Sequence, residues 1–114
     1  MTVTIYHNPR CSKSRATLSL IEERGIEPVV VEYLKDPPDA TELKRILGLL
    51  GKRPRDIARP KEAREAGIDL DAADDALIAA MVANPIAIER PIVVTADAAR
   101  MGRPPESVLD ILED

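Results

Sequence analysis

Val3-Thr4-Ile5-Tyr6-His7-Asn8-Pro9-Arg10-Cys11-Ser12-Lys13-Ser14-Arg15 is the stretch on which the fold of this chain turns. Val3 to Tyr6 alternates β-prone apolar and polar residues, which predicts a strand. From Ser12 to Arg24 the pattern becomes helical, with Ser12 or Cys11 as the cap and Ala16, Leu18, Leu20 and Ile21 on the inward face. Arg24 and Gly25 then supply a cation in the last turn and a glycine just past it. Between strand and helix stand the single histidine, His7, and the single cysteine, Cys11, with Arg10, Lys13 and Arg15 close by. A thiol at a helix start meets free backbone N–H groups and the positive end of the dipole, and both favour the thiolate, the nucleophilic form. The alternative is a small buried apolar filler, but Asn, Pro, Ser and Lys are poor company for a core residue.

Working outward, Pro28 to Tyr33 contains Val29-Val30-Val31 and predicts a second, buried strand, parallel to the first. Lys35-Asp36-Pro37-Pro38 breaks the pattern. Asp39 or Thr41 caps the next helix, which shows Leu43, Ile46, Leu47 and Leu50 at helical spacing and ends at Gly51. The cation-dense stretch Arg53 to Pro60 predicts one helical turn, Lys61 to Ala66 a short helix stopped at Gly67, and Ala73 to Ala83 a helix with Leu77, Ile78, Met81 and Val82 inward. Ile92 to Thr95 is a third strand, Asp97 a turn, Ala98 to Met101 a fourth strand broken at Gly102, and Glu106 to Leu112 a last helix. The expected fold is α/β: a thioredoxin-like four-stranded mixed sheet with a helical insertion, over about residues 38–85, between the β-α-β and β-β-α halves of a single domain covering 1–114.

With 114 residues and 45% hydrophobic content the chain can bury a core, but without Phe or Trp that core must be aliphatic. One cysteine excludes an internal disulfide framework and a multi-thiolate metal site, and it fits a reducing, cytoplasmic setting. The expectation is of no signal peptide, no membrane-spanning segment and no metal. A net charge of −4 argues against nucleic-acid binding by the whole surface. Asp69, Asp71, Asp74 and Asp75 read as a solvated turn followed by a helix start.

The motif is Cys11-x-x-Ser14, so a resolving thiol must come from another molecule, such as glutathione or a glutaredoxin. Ser14 is placed to donate a hydrogen bond to the thiolate or to serve as a plain first-turn residue. The phosphatase pattern, Cys followed by five residues and Arg, fails, because the sixth residue after Cys11 is Thr17. Any oxyanion grip must therefore come from elsewhere. Arg59-Pro60, Arg90-Pro91 and Arg103-Pro104 are three arginines at proline-marked loops. A residue before proline is held extended, which fixes where its side chain projects. His7 is available as a general acid or base, or as a group that positions the thiolate, though a lone histidine at a strand end is more often structural.

Tyr6-His7-Asn8-Pro9-x-Cys11 with Ser14-Arg15, Tyr33-Leu34 before Pro37-Pro38, Asn84-Pro85-Ile86, Arg90-Pro91-Ile92-Val93-Val94 and Arg103-Pro104 together resemble the glutaredoxin-coupled arsenate reductase family, in the same order over nearly the whole chain. The local sequence also resembles a shorter branch, without the longer C-terminal tail of some members. The resemblance implies a thioredoxin-like fold with a helical insertion, in which thioredoxin-like proteins carry a cis-proline before the third strand. It implies Cys11 as the catalytic nucleophile toward arsenate and Arg59, Arg90 and Arg103 as the substrate-binding arginines, with His7, Ser14 and Arg15 as supporting groups. It also implies no bound cofactor, with glutathione as co-substrate and glutaredoxin as protein partner. Two alternatives stand beside it. One keeps the thiol chemistry and changes the substrate to another glutathione-linked molecule. The other is a non-catalytic thioredoxin-like regulator that binds RNA polymerase and senses oxidants; such regulators commonly use a Cys-x-x-Cys switch, and this chain has serine at position 14.

Overall fold

A computed structural model describes residues 2–112 of the chain. They form two compact units, one built from the residues up to Asp36 together with those from Arg90 on, the other from Pro37–Glu89.

The first unit holds the sheet. Its strands are β1 (Thr4–His7), β2 (Val29–Glu32), β3 (Ile92–Val94) and β4 (Ala99–Met101), in the order β2-β1-β3-β4. β1 pairs in parallel with β2, Thr4 opposite Val29 and His7 opposite Glu32. It pairs antiparallel with β3, Tyr6 opposite Ile92, and β3 pairs antiparallel with β4, Ile92 opposite Met101. This registry brings His7, Glu32, the residues entering β3 and the residues leaving β4 to one end of the sheet. Helix α1 (Ser12–Glu23) follows β1, and Gly25, at φ 76°, ends it in the left-handed region that glycine adopts without penalty. The core of this unit joins Val3 and Ile5 of the N-terminal segment to Ile21 of α1, Val93 of β3, and Val108 and Leu112 at the end of the chain. Hydrophobic burial over this aliphatic cluster, without an aromatic ring, holds the two sequence-distant halves together.

Three expectations are corrected here. Val29 and Val30 are exposed, at 53% and 45%, because β2 is the edge of the sheet and not a buried strand. On α1 the buried positions are Ser14, Thr17 and Ile21, while Ala16 is exposed and Leu18 and Leu20 are half-buried. The final helix is a 3-10 helix, Pro105–Ile111, that begins one residue before Glu106. The end of the expected domain, Glu113 and Asp114, lies outside the described residues, as does Met1.

The second unit is helical: α2 (Ala40–Leu50), α3 (Pro60–Glu65) and α4 (Asp74–Ala83), with 3-10 turns at Pro54–Ile57 and Pro85–Ala87. The Asp39 carboxylate accepts from the Glu42 N–H at 2.8 Å and caps α2, and Gly51 closes it at φ 67°. Leu43, Ile46 and Leu47 of α2 and Leu77, Ile78 and Met81 of α4 are buried, at the helical spacing expected. Asp74 and Asp75 open α4 and face Arg53 and Lys44, while Asp71 faces Arg55; the acidic run is thus a solvated turn and helix start braced by exposed ion pairs.

Candidate active site: a thiol gripped by two proline-anchored arginines

Cys11 is the N-cap of α1, in extended conformation, with no side-chain cap of its own. The preceding loop is tied down at several points. The Asn8 side-chain oxygen accepts from the Arg10 N–H at 3.0 Å, and the Asn8 carbonyl accepts from the Cys11 N–H at 3.0 Å. Asn8 is itself buried. Asn8 is a site residue that residue type alone does not announce; its one sequence signal is the Asn-Pro dipeptide, since an Asn side chain readily closes such a turn on its own backbone.

Ser14 and His7 brace the loop from beneath. The Ser14 hydroxyl oxygen accepts from the Asn8 N–H at 3.0 Å and is hydrogen-bonded to His7 Nδ1 at 2.7 Å. Both side chains are buried. What Ser14 presents to the thiol is its backbone N–H, while its hydroxyl serves the loop. Burial lowers the pKa of His7, Glu32 opposes that shift and Arg15 adds to it, so the imidazole is neutral near pH 7. Arg15 is exposed and donates from Nη1 to the Pro9 carbonyl at 2.9 Å, which makes it a brace for the loop.

Partial burial pushes the Cys11 thiol up, but the backbone N–H of Ser14, the Arg90 side chain and the backbone N–H of Lys13 outweigh it, and the thiol lies below its ordinary value. The neighbouring cations contribute less than their number suggests. Arg10 and Lys13 carry exposed side chains, and it is the Lys13 backbone that reaches the sulfur. Solvated charges at the helix rim are screened, whereas N–H groups aimed at the anion are not.

Two of the three proline-anchored arginines converge on the thiol. The Arg90–Pro91 and Arg103–Pro104 peptide bonds are both cis. Arg103 donates from Nη2 to Cys11 Sγ at 3.6 Å and from Nε to the Arg90 carbonyl at 2.8 Å, so the two arginines are linked to each other. The Arg103 contact is long, and Arg90 is the arginine that lowers the thiol. Gly102 is the residue that lets this corner close. Its N–H donates to the Pro91 carbonyl at 2.9 Å, and an added Cβ would lie 2.5 Å from Thr17 Oγ1 and 2.6 Å from Pro91 Cγ. Arg59 belongs to the helical unit, where Nε donates to Glu62 at 2.9 Å and Nη1 to Glu89 at 2.5 Å. Among the described residues no cluster of His, Cys, Asp and Glu is arranged to hold a metal ion, and no helix is long and apolar enough to cross a membrane.

A lone thiol at the start of the first helix, met by the Arg90 and Arg103 side chains at the end of a mixed β2-β1-β3-β4 sheet, defines a thioredoxin-like protein built around one cysteine. The chain belongs to the ArsC family, whose model matches residues 6–111. It is 49% identical to an arsenate reductase of Rhizobium meliloti, over 100% of this chain and 84% of that protein. It is 53% identical to an uncharacterised protein of Escherichia coli K12, over 96% of both. The solved structure of an arsenate reductase from Vibrio cholerae superposes with a TM-score of 0.92 at 52% identity, covering 98% of each chain.

Proposed function

We propose that the protein is an arsenate reductase in which Cys11 is the nucleophile and Arg90 and Arg103 grip the oxyanion. The observation that carries this reading is the convergence of those two guanidinium groups on the sulfur, in a chain nearly half identical to proteins named for that activity. Two planar cations beside a thiolate suit a tetrahedral oxyanion, because each fork can hold two oxygens and offset charge as an oxygen leaves. Arg59 enters the proposal as a third substrate-binding residue on the family likeness alone.

The thiolate attacks arsenic, an S–As bond forms, and one arsenate oxygen departs as water. Arsenic is still pentavalent in this adduct. A glutathione thiolate then attacks the Cys11 sulfur. An S–S bond forms, the S–As bond breaks, and its electron pair stays on arsenic, which leaves as trivalent arsenite. A second thiol, from a glutaredoxin, attacks the glutathione sulfur and returns Cys11 as the thiolate. Serine at position 14 leaves this exchange to outside thiols.

Purified protein supplied with arsenate, glutathione and glutaredoxin should release arsenite, and Cys11→Ser should release none. Absence of arsenite from the wild type would rule out arsenate as the substrate.

A further inference from the structure

A cleft of about 260 Å³ opens beside the Cys11 loop, walled by His7, Pro9 and Arg10 at the end of β1 and by Glu32, Leu34 and Lys35 at the end of β2. None of these walls belongs to the arginine corner. We propose that this cleft seats the thiol tripeptide glutathione and aims its sulfur at Cys11 from the flank opposite the oxyanion. The inference rests on the reading of glutathione as co-substrate and assigns it a place.

The sheet order supplies the first argument. β1 lies between β2 and β3, and Cys11 follows β1. Arg90 enters β3 and Arg103 leaves β4, so the oxyanion grip stands on the β3–β4 flank of the sulfur, while the cleft is on the β2 flank. Displacement at sulfur runs in line: the entering thiolate approaches opposite the bond that breaks. With arsenic held toward β3 and β4, the open approach for a second thiol is from the β2 side.

Charge supplies the second argument. Glutathione carries two carboxylates and one ammonium group. The cleft offers the complementary set, the cations Arg10 and Lys35 and the carboxylate Glu32, with Pro9 and Leu34 as apolar surface. Leu34 is a large apolar side chain left 38% exposed, outside the core cluster of Val3, Ile5, Ile21, Val93, Val108 and Leu112. Lys35 and Glu32 are only 3.7 Å apart and both exposed, so the pair is readily exchanged for ligand charges. The cleft, at about 260 Å³, lies just below the roughly 300–1,000 Å³ of enclosed ligand sites, so a ligand of three residues would leave part of its surface to solvent.

The test uses full-length protein labelled with nitrogen-15 and titrated with S-methylglutathione, which cannot form a disulfide. Amide shifts should concentrate at His7, Asn8, Arg10 and residues 32–35, and Lys35→Glu and Arg10→Glu should each weaken binding about fivefold or more. In turnover, Lys35→Glu should raise the KM for glutathione, leave the KM for arsenate unchanged, and match the wild type when 2-mercaptoethanol is the reductant. Shifts confined to residues 91–103, no shifts at all, or an unaltered glutathione affinity in both variants would overturn the proposal. If the wild type makes no arsenite, the substrate reading fails, while the shift map still decides whether the cleft takes the tripeptide.

Discussion

At the scale of single residues, the thiol is activated by groups that differ in kind from those its neighbourhood advertises. Arg10, Lys13 and Arg15 surround Cys11 in sequence, yet the groups that stabilise the thiolate are two backbone N–H groups and the distant Arg90. The pH midpoint of Cys11 alkylation should accordingly lie below that of a free cysteine measured alongside it, should rise in Arg90→Gln, and should barely move in Arg10→Gln. Arg103→Lys keeps a charge but loses the fork that spans Cys11 and the Arg90 carbonyl. Steady-state kinetics should show kcat/KM for arsenate reduced about 10- to 100-fold, the scale of a lost charge-assisted hydrogen bond. His7 acts through stability. Its pKa is lowered in the folded protein by burial, so below about 6.5 the unfolded chain takes up a proton that the native state resists. Its contribution is complete above that pH and is lost as pH falls toward the folded value. Urea midpoints compared at pH 7.5 and 5.5 should therefore drop less in His7→Gln than in the wild type.

At the scale of elements, the legible parts were those announced by residue type and the obscure parts those decided by packing. Proline after Arg90 and Arg103 marked both corners, and Asp39 and Gly51 marked the limits of α2. Apolar content alone could not tell a buried strand from an edge strand, so Val29-Val30-Val31 read as core although β2 has a neighbour on one side only. Likewise the apolar residues of α1 point to an inward face through Ala16, Leu18 and Leu20, whereas its N-terminal half buries Ser14 and Thr17. Those polar residues are buried because they bond locally: Ser14 to the Cys11 loop and Thr17 Oγ1 to the Lys13 carbonyl at 2.8 Å. Thr17 is thereby fixed where β4 ends, and only glycine fits opposite it at position 102. Gly102→Ala must displace either Thr17 or the Pro91 ring and should cost about 1–3 kcal/mol of stability. Because Pro91 carries Arg90, the same variant should also raise the alkylation midpoint of Cys11. An unchanged midpoint would mean that the arginine corner tolerates the shift and that Gly102 serves packing alone.

At the scale of the whole molecule, the sheet unit is assembled from both ends of the chain, the helical unit lying between them in sequence, with Thr4 paired to Val94 across β1 and β3. The sequence could announce this arrangement through the order of its elements, but it could not say which side chains meet, since that depends on the rotation of α1 against the sheet. In the structure α1 has a division of labour along one buried face: Ser14 and Thr17 serve the site, and a turn later Ile21 enters the core with Val3, Ile5, Val93 and Val108. Ile21 is fully buried, so Ile21→Ala removes apolar surface and leaves a cavity where the N-terminal strand, β3 and the C-terminal 3-10 helix meet. The loss should be about 2–5 kcal/mol, a large share of the ~5–15 kcal/mol typical of a whole domain. It should appear as a lower urea midpoint with an unchanged m-value. The site end of α1 is held by hydrogen bonds that do not pass through Ile21. Under native conditions the alkylation midpoint of Cys11 in Ile21→Ala should therefore equal that of the wild type. A midpoint that rises with the loss of stability would show that the aliphatic core, and not the local hydrogen-bond network, sets the position of the thiol.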